Sequence, residues 1–139
     1  MIEVRIPDIG DILSILFDDE IYDRISDDTC PPKEDYDFPE HGLKNIGCYL
    51  DDKIIGLAII EENGKLHFQV LKAYRRHASK CLKACLKEID DPLFCEIPLL
   101  YMSVINFAKK HGFSESGIND DTYIKNNKEH KILKLIYKG

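Results

Sequence analysis

Three apolar segments in the middle of the chain, Ile46 to Leu50, Ile54 to Glu61 and Lys65 to Val70, are separated by only a few residues of turn chemistry. Asp51-Asp52 and Asn63-Gly64 supply the turns, and Asn-Gly in particular suits the left-handed backbone of a tight hairpin. Links this short join antiparallel neighbours, because a parallel pair needs a crossover of about a dozen residues or more. The centre of the chain is therefore expected to be a run of antiparallel strands. In the third of them Leu66, Phe68 and Val70 face one way and His67, Gln69 and Leu71 the other. One face can then join a core while the other is free for chemistry.

After Tyr74 the apolar period changes from two to helical. Ala78, Leu82, Cys85, Leu86 and Ile89 recur at steps of three and four, with Lys80, Lys83 and Lys87 off the stripe, which predicts an amphipathic helix stopped by Asp90-Asp91-Pro92. Leu93 to Ile97 reads as a buried strand, and Val104 to His111 as a second helix closed by Gly112. Phe113 opens a final hairpin whose turn is Asn126-Asn127 and whose last strand, Ile132 to Lys138, puts Leu133, Leu135 and Tyr137 on one side. At the front, Ile2 to Ile6 alternates as a short strand ended by Pro7-Asp8. Ile9, Ile12, Leu13, Leu16, Phe17, Ile21, Tyr22 and Ile25 follow as a helical stripe, with Asp8 as N-cap and Asp18-Asp19-Glu20 dividing it into two helices. From Asp27 to Lys44 prolines replace aliphatics, which predicts a long surface loop able to line a substrate cleft or simply to connect. The expected order is βαα-βββ-α-β-α-ββ, an α+β fold with six to seven mostly antiparallel strands and about four helices, in one domain over residues 1–139.

Composition narrows the classes. With 139 residues, 44% of them hydrophobic and 32% charged, the chain can bury a core, which argues against disorder and against two full domains. No apolar run approaches the roughly 20 residues of a membrane helix, and Met1-Ile2-Glu3-Val4 lacks the pattern of a signal peptide, so a cytoplasmic protein without membrane partners is expected. The five cysteines, Cys30, Cys48, Cys81, Cys85 and Cys95, show no Cys-x-x-Cys spacing. Reduced thiols are expected, with neither a disulfide framework nor a metal site. Charge is uneven: 13 acids and 3 bases in residues 1–40, a balance of −10, against 12 acids and 16 bases thereafter, a balance of +4. An acidic front half argues against general nucleic-acid binding, whereas a basic back half leaves room for a local anion such as a nucleotide phosphate.

The best candidate for that anion site is Val70-Leu71-Lys72-Ala73-Tyr74-Arg75-Arg76-His77-Ala78-Ser79-Lys80, a strand running through a basic turn into a helix. The first backbone N–H groups of a helix have no internal partner and carry the positive end of the macrodipole, so such a junction suits a phosphate or pyrophosphate. A merely solvated basic surface is the alternative reading of the same residues.

The segment Val70 to Leu86 resembles the cofactor motif of the GNAT superfamily of N-acetyltransferases: an apolar strand end, a Tyr-Arg pair, a turn with small residues and an amphipathic helix. Asn106-Phe107-Ala108-Lys109-Lys110-His111-Gly112-Phe113 resembles the helix and Gly-Phe strand start that close the same fold. The resemblance covers residues 46–137 by motif and order, and the first 45 by topology. It implies a splayed mixed sheet with acetyl-CoA as cosubstrate between the fourth and fifth strands. It also implies that Val70 and Leu71 hold the pantetheine arm and that Arg75, Arg76, His77, Ala78, Ser79 and Lys80 form the pyrophosphate turn, with Asn106 a further cofactor contact. Lys80 departs from the pattern, because the family has a second small residue there.

Acetyl transfer needs a base for the amine proton and an acid for the leaving thiolate. The acid of the family is a tyrosine on the helix before Gly-Phe, where this chain has Ala108; Tyr101, at the mouth of that helix, is the available substitute or else a core residue. For the base, the fourth strand offers His67 in place of the family's glutamate; a surface histidine paired with nothing is the alternative. Two functions follow from the resemblance. One is an N-acetyltransferase, an acyltransferase moving an acetyl group from acetyl-CoA to an amine under the Asp27–Lys44 loop. The other is a catalytically degenerate GNAT-fold binding or assembly factor with a protein partner; the Pro-Leu-Leu-Tyr to Gly-Phe stretch is also similar to small phage-encoded GNAT-like proteins, some linked to head assembly. A ferredoxin-like binding module would share the alternation without accounting for the two motifs.

Overall fold

The computed structural model describes residues 1–35 and 43–138. In chain order the elements are β1 (Ile2–Arg5), α1 (Ile9–Leu16), α2 (Asp19–Ile25), a 3₁₀ turn (Lys33–Asp35), β2 (Leu43–Leu50), β3 (Lys53–Glu61), β4 (Leu66–Val70), a second 3₁₀ turn (Lys72–His77), α3 (Ala78–Lys87), β5 (Phe94–Pro98), α4 (Met102–Lys110), β6 (Phe113–Lys125) and β7 (Lys128–Tyr137). This is the α+β fold and the strand and helix order expected from the sequence. The seven strands form two antiparallel sheets, β1-β2-β3-β4 and β5-β7-β6. They belong to two compact units, Met1–Ile25 with Pro31–Asp91, and Ser26–Cys30 with Pro92–Gly139.

The first sheet is set by its turns. Asp51 and Asp52 take φ of 50° and 67°, and Gly64 takes 94°, the left-handed values that close tight hairpins. They fix a register in which Ile59 lies opposite Asn45 on one side and His67 on the other. β3 runs through the middle and is buried from Ile54 to Ile60, so it reads as a continuous apolar run. One face of the sheet takes α1 and α2: Ile12, Ile15, Leu16 and Ile21 pack with Tyr49, Ile54, Leu57 and Ile59, and Leu71 flanks them. The opposite face takes α3, through buried Cys81, Leu82 and Cys85.

Local chemistry explains the helix boundaries. The Asp8 carboxylate accepts from the Asp11 N–H at 2.8 Å and caps α1. Asp18 accepts from the Ile21 N–H at 3.2 Å and starts α2, so the acidic triplet divides the stripe into two helices. The basic turn expected between β4 and α3 is a 3₁₀ turn, Lys72–His77. β2 begins at Leu43 and shortens the expected Asp27–Lys44 loop, whose residues 36–42 lie outside the described residues. β7 starts at Lys128 instead of Ile132, because Asn126 and Asn127 turn at φ of 55° and 63° and the ladder resumes at once.

In the second unit β7 is central, pairing Leu133 with Ile97 and Leu135 with Cys95, and α4 lays Ile105 and Ala108 into the core. Residues 26–30 are pinned to β6 by Asp27, whose carboxylate accepts from the Ile124 N–H at 3.0 Å and the Thr29 N–H at 2.9 Å. The Ile124 N–H contributes most to holding the Asp27 carboxyl at about 2, below its usual value near 3.8. A pKa depressed on folding contributes stability that is present above the unfolded value and is lost as pH falls through the folded one. Asp27→Asn is therefore expected to cost about 1–2 kcal/mol in urea denaturation at pH 7. The difference between variant and wild type should shrink as pH is lowered from 4 to about 2. A difference independent of pH would remove the charge from this account. No helix among the described residues is long and apolar enough to cross a membrane.

Candidate functional site

At the end of β4 the chain leaves the ladder. Val70 is buried opposite Gly56, and the Leu71 N–H still bonds to the Ile55 carbonyl at 2.9 Å. The 3₁₀ turn follows, and α3 starts at Ala78 with His77 at the N-cap position and no capping side chain. The 3₁₀ turn takes up the first of the α3 N–H groups, the Ala78 N–H donating to the Arg75 carbonyl, and the positive end of the helix macrodipole lies there. Lys72, Arg76 and Lys80 are exposed around this start, and Ser79 lies in its first turn. The His77 Nε2 is buried and has no hydrogen-bond partner among the described residues.

Arg75 behaves differently from its neighbours. Its guanidinium donates to the Glu20 carboxylate on α2, so its charge is already met within the first unit. The sequence suggested four convergent cations, but a partner 55 residues away could not be anticipated from spacing. Tyr74 is held too, its hydroxyl accepting from Lys53 Nζ at 3.2 Å.

His67 lies on β4, on the sheet face of Leu57 and Ile59. Its Nε2 is 2.5 Å from Glu61 Oε2 on β3. The unpartnered surface histidine considered from the sequence is thus replaced by an imidazole–carboxylate pair. A carboxylate only accepts, so Nε2 is the protonated nitrogen and the Nδ1 lone pair is left to take a proton. Both side chains are partly exposed, 42% for His67 and 38% for Glu61, so the proton can leave to water. On the same face the Gln69 side-chain oxygen accepts from Arg24 of α2 at 2.8 Å. Glu61 was missed in the sequence although the signal was present: the Asn63-Gly64 hairpin sets Ile59 opposite His67, which makes Glu61 its diagonal neighbour.

In the second unit Tyr101 sits at the N-cap position of α4, and its hydroxyl is 2.7 Å from that of Tyr123, the rings meeting edge to face at 5.6 Å. The Tyr123 hydroxyl donates to the Ser26 carbonyl at 3.0 Å, so the Tyr101 hydroxyl is the donor between the two. Tyr101 is therefore part-buried and hydrogen-bonded. Asn106 is exposed on α4, and Ala108 is buried where the family motif has its tyrosine. His67 and Val70 to Lys80 belong to the first unit, Tyr101 and Asn106 to the second. Among the described residues no cluster of His, Cys, Asp and Glu is arranged to hold a metal ion.

No protein-family model and no curated protein matches the chain. Solved structures do. The ribosomal-protein-S18-alanine N-acetyltransferase from Escherichia coli matches with a TM-score of 0.72 at 14% identity, over 99% of this chain and 93% of that one. A GCN5-related N-acetyltransferase from Kribbella flavida matches with a TM-score of 0.70 at 15% identity, over 99% and 96%. An N-acetyltransferase from Staphylococcus aureus matches with a TM-score of 0.69 at 14% identity, over 99% and 97%. The chain therefore has the GNAT fold, and the likeness runs through both of its compact units.

Proposed function

We propose that this chain is a CoA-dependent N-acetyltransferase in which a histidine replaces the strand glutamate as proton acceptor. The observation that carries this reading is the His67–Glu61 pair, with His67 on the strand that leads through the Lys72–His77 turn to the basic start of α3. Attack on a thioester needs a neutral amine, and a histidine with a free Nδ1 can take the proton an ammonium must lose. Glu61 holds the tautomer and offsets the charge that then develops on the ring.

Acetyl-CoA is the expected cosubstrate. Its pyrophosphate would lie at the start of α3 around Ala78 and Ser79, where the helix macrodipole is positive, with Arg76 and Lys80 as cations and His77 beside them. The exposed end of β4 at Val70 and Leu71 would bond the pantetheine arm through its backbone. Tyr101 is the candidate acid for the thiolate; it already donates to Tyr123, so it serves only if that bond is exchanged. Asn106 remains a candidate cofactor contact. The acceptor is an amine, and residues 1–139 act as one domain in the cytoplasm.

Two observations favour a second reading, a degenerate GNAT-fold binding or assembly protein of the phage-encoded kind. Ala108 is buried and offers no acid, and Arg75 is committed to Glu20. A thiol-release assay with acetyl-CoA against polyamines, lysine peptides and aminoglycoside-like amines separates the two. Saturable turnover with one class supports the transferase; rates at background for all classes, with CoA still bound, support the binding protein.

A further inference from the structure

Three thiols lie in the first unit on the sheet face opposite His67. Cys48 of β2 and Cys81 and Cys85 of α3 are each 0% exposed. The Cys48 Sγ is 3.3 Å from the Cys85 Sγ, and 3.7 Å from the Cys81 carbonyl oxygen. The carbonyl can take the Cys48 thiol hydrogen, which leaves the Cys48 sulfur facing Cys85 as acceptor. Packing alone would tolerate any small apolar residue at these positions, since a buried thiol behaves as a small hydrophobe. Two sulfurs in direct contact across a helix–sheet interface have a further capacity. A disulfide is about 2.05 Å long, so the pair has only about 1.2 Å to close.

We propose that Cys48 and Cys85 are an oxidisable pair that closes to a disulfide tying α3 to β2. The proposal is independent of acetyl transfer. With a peroxide as oxidant, one thiolate attacks the O–O bond, giving a sulfenic acid and, after proton uptake, one water. The second thiol then displaces hydroxide from that sulfur, forming the S–S bond and a second water. The two sulfurs lose two electrons together and peroxide gains them.

Burial sets the rate. The Cys81 contact alone would lower the Cys48 pKa, but the Cys85 thiol and desolvation outweigh it and hold Cys48 well above an ordinary thiol. Thiolate is scarce in the closed core, so oxidation must proceed through local opening of α3 from the sheet. The exposed Cys30 would react first and confuse the count, so it is best removed.

The test uses the full chain carrying Cys30→Ser, treated with hydrogen peroxide, alkylated without reductant, digested and mapped by mass. The expected product lacks two hydrogens, contains a peptide pair linked through Cys48 and Cys85, and reverts with dithiothreitol. Its melting temperature should rise by about 10 °C, because the bond closes a long loop in the unfolded chain. Cys81→Ala should still form the bond and Cys85→Ala should not. Four alkylatable thiols after oxidation, or linkage through Cys81 or Cys95, would overturn the proposal, and that reading needs no variant of the pair to fold.

Discussion

His67→Ala is expected to lower kcat for acetyl transfer by about 10²- to 10⁴-fold, with KM for acetyl-CoA changed by less than about threefold, because removing a general base acts on the proton and leaves cofactor binding intact. Glu61→Gln should retain the imidazole and lower kcat less, by about tenfold, since it removes only the group that fixes the tautomer 2.5 Å away. The two effects should not add: with His67 absent, Glu61 has no ring to orient. Circular dichroism of both variants should match wild type, since the pair is partly exposed and lies outside the packed core. Robust turnover unaffected by either substitution would mean that the amine proton leaves through water or another group.

The double substitution Arg76→Ala with Lys80→Ala is expected to weaken CoA binding by about 1–2 kcal/mol, roughly 5- to 30-fold, with a loss that shrinks as salt rises. Two exposed cations lie at the start of α3, and each contact to phosphate competes with water, which keeps the effect below that of a buried pair. Arg75→Ala should act differently. Its guanidinium holds Glu20 of α2, so the substitution should lower stability slightly while changing CoA affinity less than the double variant does. Equal losses of affinity in the two would place the phosphate on Arg75 instead.

These expectations mark where sequence reasoning ended. The order of elements was legible because each turn announced itself: Asp51-Asp52, Asn63-Gly64 and Asn126-Asn127 all adopt the left-handed backbone their chemistry favours. Asp8 and Asp18 likewise cap the helices they precede. The α3 stripe was legible because an amphipathic period is a property of neighbouring residues. Partners far apart in the chain were not. Glu20 reaches Arg75, and Cys48 meets Cys85, only because α2 and α3 are laid on opposite faces of one sheet, and no local pattern encodes that meeting. His67 falls between these cases. Its candidacy came from the strand alternation, whereas its carboxylate came from hairpin register, which was derivable but was overlooked. Tyr101 shows a third kind of gap, because its bond to Tyr123 depends on how α4 and β6 pack and fixes which hydroxyl donates.

Everything proposed for the site rests on acetyl-CoA engaging the β4–α3 junction. Isothermal titration of acetyl-CoA into the full chain tests this directly, with desulfo-CoA as a non-reacting companion. Saturable 1:1 binding of both ligands is expected, with Kd between about 1 µM and 1 mM, the usual range for enzyme substrates. It should weaken with salt and in the Arg76→Ala, Lys80→Ala variant. Heats indistinguishable from dilution for both ligands at millimolar concentration would contradict the account, leaving the fold without the activity that the structures it resembles are named for.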